Sequence, residues 1–296
     1  MNYTQINKRT SVFLLTRFNL NLFPIDKKNL PTRTESWLSN RFELFENYCF
    51  SSVFGQSYKD FIWFVLFDKA TPEKYIKRIE ALQNKMSNFV PVYFGDEEAK
   101  DHPTLIKSVI TAHKDESSLL ITTRVDNDDA LHCDFMKSVV ELSKSQHDEI
   151  HFYTLKNGLQ YYTEANFAIR LPYIRNHFPA LIFKNYSRTS DFLEILEFNH
   201  YFIKTYGIPF TCLDNSLPMW IEVVHGHNVG NDVIFTLKQK PVYDNDALKR
   251  GFNWNVALNS KNTRNKFWFF FLPRFCSQFV IRGFKRILII LKLKSE

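Results

Sequence analysis

Cysteine is scarce in this chain of 296 residues: Cys49, Cys133, Cys212 and Cys276 lie far apart, and no pair has the CxxC spacing. Neither a zinc knuckle nor a disulfide framework is expected, and a reducing compartment suits such a chain. Long apolar runs are missing as well. No stretch reaches the roughly 18 uninterrupted apolar residues that a membrane span requires, and residues 1–10 are polar with no apolar h-region of a signal peptide behind them, so neither a span nor an export signal is expected. Glycine is limited to eight residues, and the first apolar run is followed by Thr16-Arg17-Phe18-Asn19 where a glycine-rich phosphate loop would stand.

Acidic charge is in short supply only at one end. The net charge of +7 suggests a nucleic-acid partner until its location is considered: residues 261–296 hold nine basic residues against the single acid Glu296, leaving 29 basic and 30 acidic residues in the first 260. A nearly neutral body gives no support for a nucleic-acid groove. With 45% hydrophobic content the chain can bury a large core. The expectation is one α/β domain over residues 1–260 and an appendage over 261–296.

The apolar runs set the fold. Ser11 to Phe18, Phe61 to Phe67, Phe89 to Phe94 and Leu119 to Val125 read as strands, the longer ones continuously apolar as strands covered on both faces are. Between them, Trp37 to Val53, a segment starting at Thr71 (N-cap) and Pro72, and Leu105 to Ala112 read as helices. The alternation predicts an open, mostly parallel sheet with ligands at the C-terminal ends of its strands, where Thr16 and Arg17 stand. After residue 150, His151 to Leu155, Ala165 to Leu171 and Ala180 to Phe183 are short apolar runs that suit strands or loops.

The fourth strand runs into Asp126-Asn127-Asp128-Asp129. If strand geometry continues, Asp126 and Asp128 project the same way and bring two carboxylates to one cation, or to a cation and a ribose. Such a pair suits transfer from a nucleoside-diphosphate sugar, because a hard ion such as Mn²⁺ or Mg²⁺ stabilises the charge developing on the diphosphate. The alternative is a solvated acidic turn in which Asp129 caps a helix beginning at Ala130.

Phe13 to Asn19, Ser52-Val53-Phe54-Gly55-Gln56, Phe61 to Asp68 and Val125 to Asp129 resemble, in order and spacing, elements of the inverting GT-A glycosyltransferases over about residues 10–140. Within them, the Trp37 to Cys49 stretch, TTR-x-DNDDA and the segment Pro218 to Asn228 resemble the bacterial rhamnosyltransferase family, extending the similarity to about residue 230. The resemblance implies a GT-A-like fold and transfer from a nucleotide-sugar donor to a saccharide of a cell-surface polysaccharide. It implies that Asp68 contacts the nucleoside, Thr16 and Arg17 line the nucleotide pocket, and Asp126 and Asp128 serve metal and ribose. His225 corresponds to a histidine that ligates metal or phosphate in many relatives, with His227 and Asn228 as substitutes and a structural histidine as the alternative. Arg124 either pairs with phosphate or orients Asp126. Inverting transfer also needs a carboxylate base. The family's Glu-Asp pair is missing from residues 150–230, and of Asp191, Glu194, Asp214 and Glu222 the reading favours Asp191 or Asp214.

Val280, Phe284, Ile287, Leu288 and Leu291 share one face of a helix opposite Arg282, Lys285 and Arg286, behind the aromatic run Phe267 to Leu272. This pattern suits a helix lying on an anionic membrane, which would place the protein peripherally on the inner face of the cytoplasmic membrane beside a lipid-linked acceptor. Packing against the catalytic domain or a second subunit is the other reading. Two further functions remain: a sugar nucleotidyltransferase, disfavoured by the absent phosphate loop, and a non-catalytic membrane-peripheral scaffold.

Overall fold

A computed structural model describes residues 10–26, 29–113, 119–145, 147–184, 192–225, 241–242 and 245–254, with 268–269, 272–273, 276–277 and 280 from the tail. Seven strands form the main sheet: β1 (Thr10–Arg17), β2 (Ile62–Asp68), β3 (Phe89–Phe94), β4 (Leu119–Arg124), β6 (Ile150–Leu155), β9 (Ala180–Lys184) and β10 (Phe210–Leu213), in the order β10-β6-β9-β4-β1-β2-β3. Only β9 runs against its neighbours. A smaller sheet takes β5 (Ala130–Leu131), β7 (Asn157–Tyr162), β8 (Phe167–Pro172), β11 (Trp220–Val224) and β12 (Pro241–Val242), in the order β12-β8-β7-β11-β5.

Alternation along β1 divides the core. Val12 and Leu14 join Trp63, Val65 and Phe67 of β2 in one apolar cluster, to which α1 (Glu35–Leu44), α3 (Glu73–Lys85) and α6 (Phe135–Lys144) contribute Phe42, Ile79 and Met136. Phe13 and Leu15 face the other way, with Phe64 and Leu66, against Ile106 and Ile110 of α5 (His102–His113). Burial on both faces is why these strands are apolar at nearly every position. A third cluster joins Tyr161, Ile221 and Val223 of the small sheet to Tyr48 and Trp254.

The helix after β1 is longer than α1 alone: it continues through a π turn, Phe45–Phe50, into α2 (Ser51–Phe54). At its end Ser52 and Gln56 clamp the following half of the domain. Ser52 Oγ accepts from Leu131 N at 3.1 Å, while Gln56 donates to His132 O at 2.8 Å and accepts from Met136 N at 3.0 Å. The Ser-x-x-x-Gln spacing therefore fixes β5 and the start of α6, directly after the acidic cluster.

Two local expectations change. Pro72 rather than Thr71 caps α3, because the Thr71 hydroxyl donates to Asp68 O at 2.6 Å and accepts from Asn19 Nδ2 at 3.0 Å. Ala130 begins β5 rather than a helix, so Asp129 is not an N-cap and is free to act elsewhere. The chain passes from β1 to β2 and β3 on one side and has β4 on the other, so the sheet's switch point lies between the C-terminal ends of β1 and β4. Arg17 and Asp126 meet there. No helix among the described residues is long and apolar enough to cross a membrane.

Candidate active site

The four acidic-cluster residues do not prolong β4. They form a turn in which Asp129 N bonds to Asp126 O at 3.1 Å, so Asp126 and Asp128 diverge instead of sharing a strand face. Asn127 anchors the turn to β1, donating to Arg17 O at 2.9 Å and Phe18 O at 2.7 Å. Asp126 remains 40% exposed beside Arg17, 4.0 Å away, whereas Asp128 and Asp129 are buried.

Each buried carboxylate has a cationic or imidazole partner. Arg41 Nη1 reaches Asp128 Oδ2 at 2.7 Å and Asn127 Oδ1 at 2.9 Å, and His225 Nε2 lies 2.8 Å from the same Asp128 oxygen. Burial opposes ionisation of Asp128, but the Arg41 guanidinium and His225 outweigh it and hold the carboxyl well below its ordinary range. Asp129 spans to the small sheet: Oδ1 accepts from Val223 N at 2.8 Å and Oδ2 meets His177 Nε2 at 2.6 Å. Burial works against charge on His177, yet the Asp129 carboxylate beside it pulls the imidazole up to about 9. These bonds join the end of β11, and with it His225, to the turn.

The β1–β2 edge forms the adjoining wall. Asp68 is buried, its backbone N donating to Asn19 Oδ1 at 3.0 Å and its Oδ1 accepting from Ala70 N at 2.7 Å. Its other oxygen is 2.6 Å from Arg33 Nη1, which also approaches Asp96 at 3.4 Å. Arg33 holds φ at +62°, a conformation that costs a residue with a side chain on the order of 1 kcal/mol.

Several expected residues are placed differently. Thr16 is fully buried and its hydroxyl accepts from Trp63 Nε1 at 2.9 Å, so its side chain supports the core rather than lining a pocket. Arg124 neither orients Asp126 nor meets solvent. It turns inward to His177 O at 3.2 Å, Phe198 O at 3.4 Å and His200 Nδ1 at 2.8 Å, and burial brings its guanidinium down to about 10. Asp214 is exposed and bound by Lys156 at 2.7 Å and Asn157 at 2.8 Å, contacts that lower its affinity for a proton, and no hydrogen bond or ion pair among the described residues joins it to the turn. Asp191, His227 and Asn228 lie outside the described residues.

Glu222 is the acid that the fold brings toward the cluster. It stands on β11, bound by Gln160 Nε2 at 2.8 Å, and burial raises its carboxyl, with Asp128 and Asp126 adding to the effect. Glu194 is also buried and pushed up to about 8, but its surroundings are Leu196 N and the apolar layer beneath β4. Arg41, Arg33 and His177 went unnoticed in the sequence as site residues. Arg41 had one trace, its place in the Trp37 to Cys49 stretch.

Asp126, Asp128 and His225 carry carboxylate oxygen and imidazole nitrogen, donors of the kind that Mn²⁺ and Mg²⁺ accept, but the turn sends Asp126 away from the Asp128–His225 pair and the three are not gathered within 4.8 Å of one another. Ligand atoms of Asp126, Asp129 and His177 do lie within 4.8 Å of one another, although the last two already bind each other. A separate group, His132, Cys133 and Asp134, is spent on its own turn: His132 Nδ1 accepts from Asp134 N at 3.1 Å and Asp134 accepts from Ser57 Oγ at 2.6 Å.

A comparison with curated protein sequences finds no match. Among solved structures, residues 1–349 of S. aureus TarS resemble the chain at 12% identity and a TM-score of 0.41, covering 72% of this chain and 60% of TarS 1–349. The same segment in complex with UDP-GlcNAc gives 10% identity and a TM-score of 0.43 over 74% and 60%. The chain thus spans about 60% of the length of these solved chains. The family model described as "Putative rhamnosyl transferase" matches residues 12–236, most of the chain, and the protein belongs to that family.

Proposed function

We propose that the protein is a metal-dependent glycosyltransferase that moves a sugar, rhamnose by the name of its family, from a nucleoside diphosphate to a saccharide acceptor with inversion. The observation that carries this reading is the acidic turn at the switch point of the sheet, with Asp126 open beside Arg17 and Asp128 joined to His225 at 2.8 Å. Asp126, Asp128 and His225 would hold the cation, which when bound neutralises charge on the diphosphate leaving group. Arg17, 30% exposed, adds positive charge for the phosphates. Asp68, its carboxylate held by Ala70 N and Arg33, supplies the polar wall for the nucleoside.

The acceptor hydroxyl must lose a proton as it attacks. Asp191 remains in the proposal, and Glu222 replaces Asp214 as its companion because it is buried beside the turn and its raised affinity for protons suits a base. The basic, aromatic tail would hold the protein at the anionic inner face of the cytoplasmic membrane, next to a lipid-linked glycan acceptor. The deciding experiment is turnover of a panel of nucleotide sugars with Mn²⁺ and with chelator. Chelator-sensitive release of a nucleoside diphosphate supports the reading. Turnover unaffected by chelator removes the metal, and absence of turnover together with no thermal stabilisation by any nucleotide sugar removes the transferase.

A further inference from the structure

Alternate residues of the small sheet take opposite faces. Leu159, Tyr161, Ile221 and Val223 join the apolar cluster around Trp254, which leaves Gln160, Tyr162 and Glu222 on the other face. β7 and β11 run parallel with Gln160 beside Glu222. Tyr162 O–H donates to Gln160 Oε1 at 2.5 Å, and Gln160 Nε2 donates to Glu222 Oε2 at 2.8 Å. The Tyr162 ring stacks on Phe167 of β8, with centroids 4.8 Å apart, which holds the far end of this chain of bonds. An ionised carboxylate can only accept, so the amide must turn its N–H₂ to Glu222 and its carbonyl to the hydroxyl, and Tyr162 fixes it that way round.

Gln160 and Tyr162 are each 1% exposed, and polar side chains buried to that extent are stable only when bonded. Glu222 differs at one atom. Its Oε1 takes no hydrogen bond, yet unlike Glu194 Oε1 it is not sealed from water. The groups that act on Glu222 are those of the candidate site: Asp126 and Asp128 of the turn, and His177 and Tyr173 from the segment between β8 and β9. Burial and the two aspartates favour the protonated carboxyl, while His177 and the Gln160 bond favour the ionised form. We propose that Gln160 and Tyr162 are positioning residues for Glu222, holding Oε2 so that Oε1 is left to take the proton of the acceptor hydroxyl. In that step the acceptor O–H bond breaks, its oxygen bonds to the anomeric carbon, the nucleoside diphosphate leaves with the electron pair of the glycosidic bond, and the proton stays on Oε1. That Glu222 serves a transfer reaction rests on the function proposed above.

The test compares the full chain with Gln160→Met, which keeps the volume and removes the donor, and Tyr162→Phe, which keeps the ring and lets the amide rotate. Nuclear magnetic resonance of isotope-labelled glutamate carboxyls, with chelator present and Glu222→Gln for assignment, follows Glu222 directly. Glu222 should titrate about one pH unit higher in Gln160→Met, the scale of one hydrogen bond to a charged group, and should move by a smaller step the same way in Tyr162→Phe. With the nucleotide sugar that the wild type turns over, the acid limb of the kcat profile should shift equally. At a given pH on that limb kcat then falls about tenfold, with KM for the donor unchanged. An unmoved Glu222 titration in folded Gln160→Met overturns the proposal, and if that variant does not fold, an unmoved titration in Tyr162→Phe does so. Wild-type kcat in Glu222→Gln also overturns it, while leaving the transferase reading with Asp191 as its base. A moved titration in a chain that turns over no nucleotide sugar supports the positioning of Glu222 and removes the transferase reading.

Discussion

Arg41 and Asp128 form a buried ion pair across 87 residues of sequence, with Nη1 2.7 Å from Oδ2 and both side chains more than 90% covered. Removing either partner leaves a charge in a poorly solvated place, which typically costs about 3–5 kcal/mol. Arg41→Met should therefore lower unfolding free energy by an amount of that order in urea titrations. Because His225 also contacts Asp128, Asp128→Asn should cost less. In the double variant the penalties should not add, and strict additivity would show that the pair is not an energetic unit.

The same pair determines which carboxylate gives a clean functional test. Asp128→Ala strands Arg41 and confounds loss of turnover with loss of fold, whereas Asp126 is 40% exposed and its charged neighbour Arg17 is 4.0 Å away. Asp126→Asn should keep stability within about 0.5 kcal/mol of wild type. On the proposed function it should cut turnover at least about 100-fold, the scale of losing one preorganised electrostatic contact. Mn²⁺ binding followed by electron paramagnetic resonance should weaken in parallel. Unaltered turnover and unaltered Mn²⁺ binding would remove Asp126 from the site.

The strands were the most legible part of the fold, and the reason is physical. Phe89 to Phe94 appears at its expected bounds and β1, β2 and β4 shift by a residue or so, since strands covered on both faces leave uninterrupted apolar runs. The acidic cluster was found by its place after such a strand. Its geometry was not, because a turn closed by Asp129 N to Asp126 O has no periodicity to read. Arg41 and His177 escaped for a different reason. Their partners lie 87 and 48 residues away, and pairings made by tertiary packing leave no local spacing. Thr16 and Arg124 were correctly placed at strand ends, but which side of the sheet each takes follows from Trp63 and from His177 and His200, which meet their side chains.

The tail offers a prediction that rests on its sequence. Its amphipathic segment, Val280 to Leu291, lies almost wholly outside the described residues, while Trp268, Phe269, Leu272 and Val280 are exposed. Each Lys or Arg near an anionic surface contributes about 1 kcal/mol to binding, an effect that salt screens. Full-length protein should sediment with anionic vesicles at low salt and less so at high salt, and a version lacking residues 264–296 should stay in solution while retaining its circular dichroism. Equal sedimentation of both would dismiss membrane attachment, and an unfolded truncation would show that the tail completes the domain.

His177 makes stability depend on pH in a direction fixed by Asp129. Its imidazole ionises near 6.5 when unfolded and is raised to about 9 in the folded chain, so between those values the native state holds a proton that the unfolded state has released. Burial raises the Asp129 carboxyl as well, to about 8, so both partners hold protons in the folded chain that the unfolded chain has released. Unfolding free energy should thus decline as pH rises from 6.5 to 9, with both members of the pair contributing. Replacing His177 with Gln keeps a hydrogen-bond donor toward Asp129 but cannot titrate. The variant should be less stable at pH 6 and should show a shallower alkaline decline, since the part that belongs to His177 is gone while Asp129 still titrates. Parallel curves across that window, measured by urea unfolding at constant ionic strength, would mean that His177 is neutral when folded and that Asp129 carries the proton of the pair.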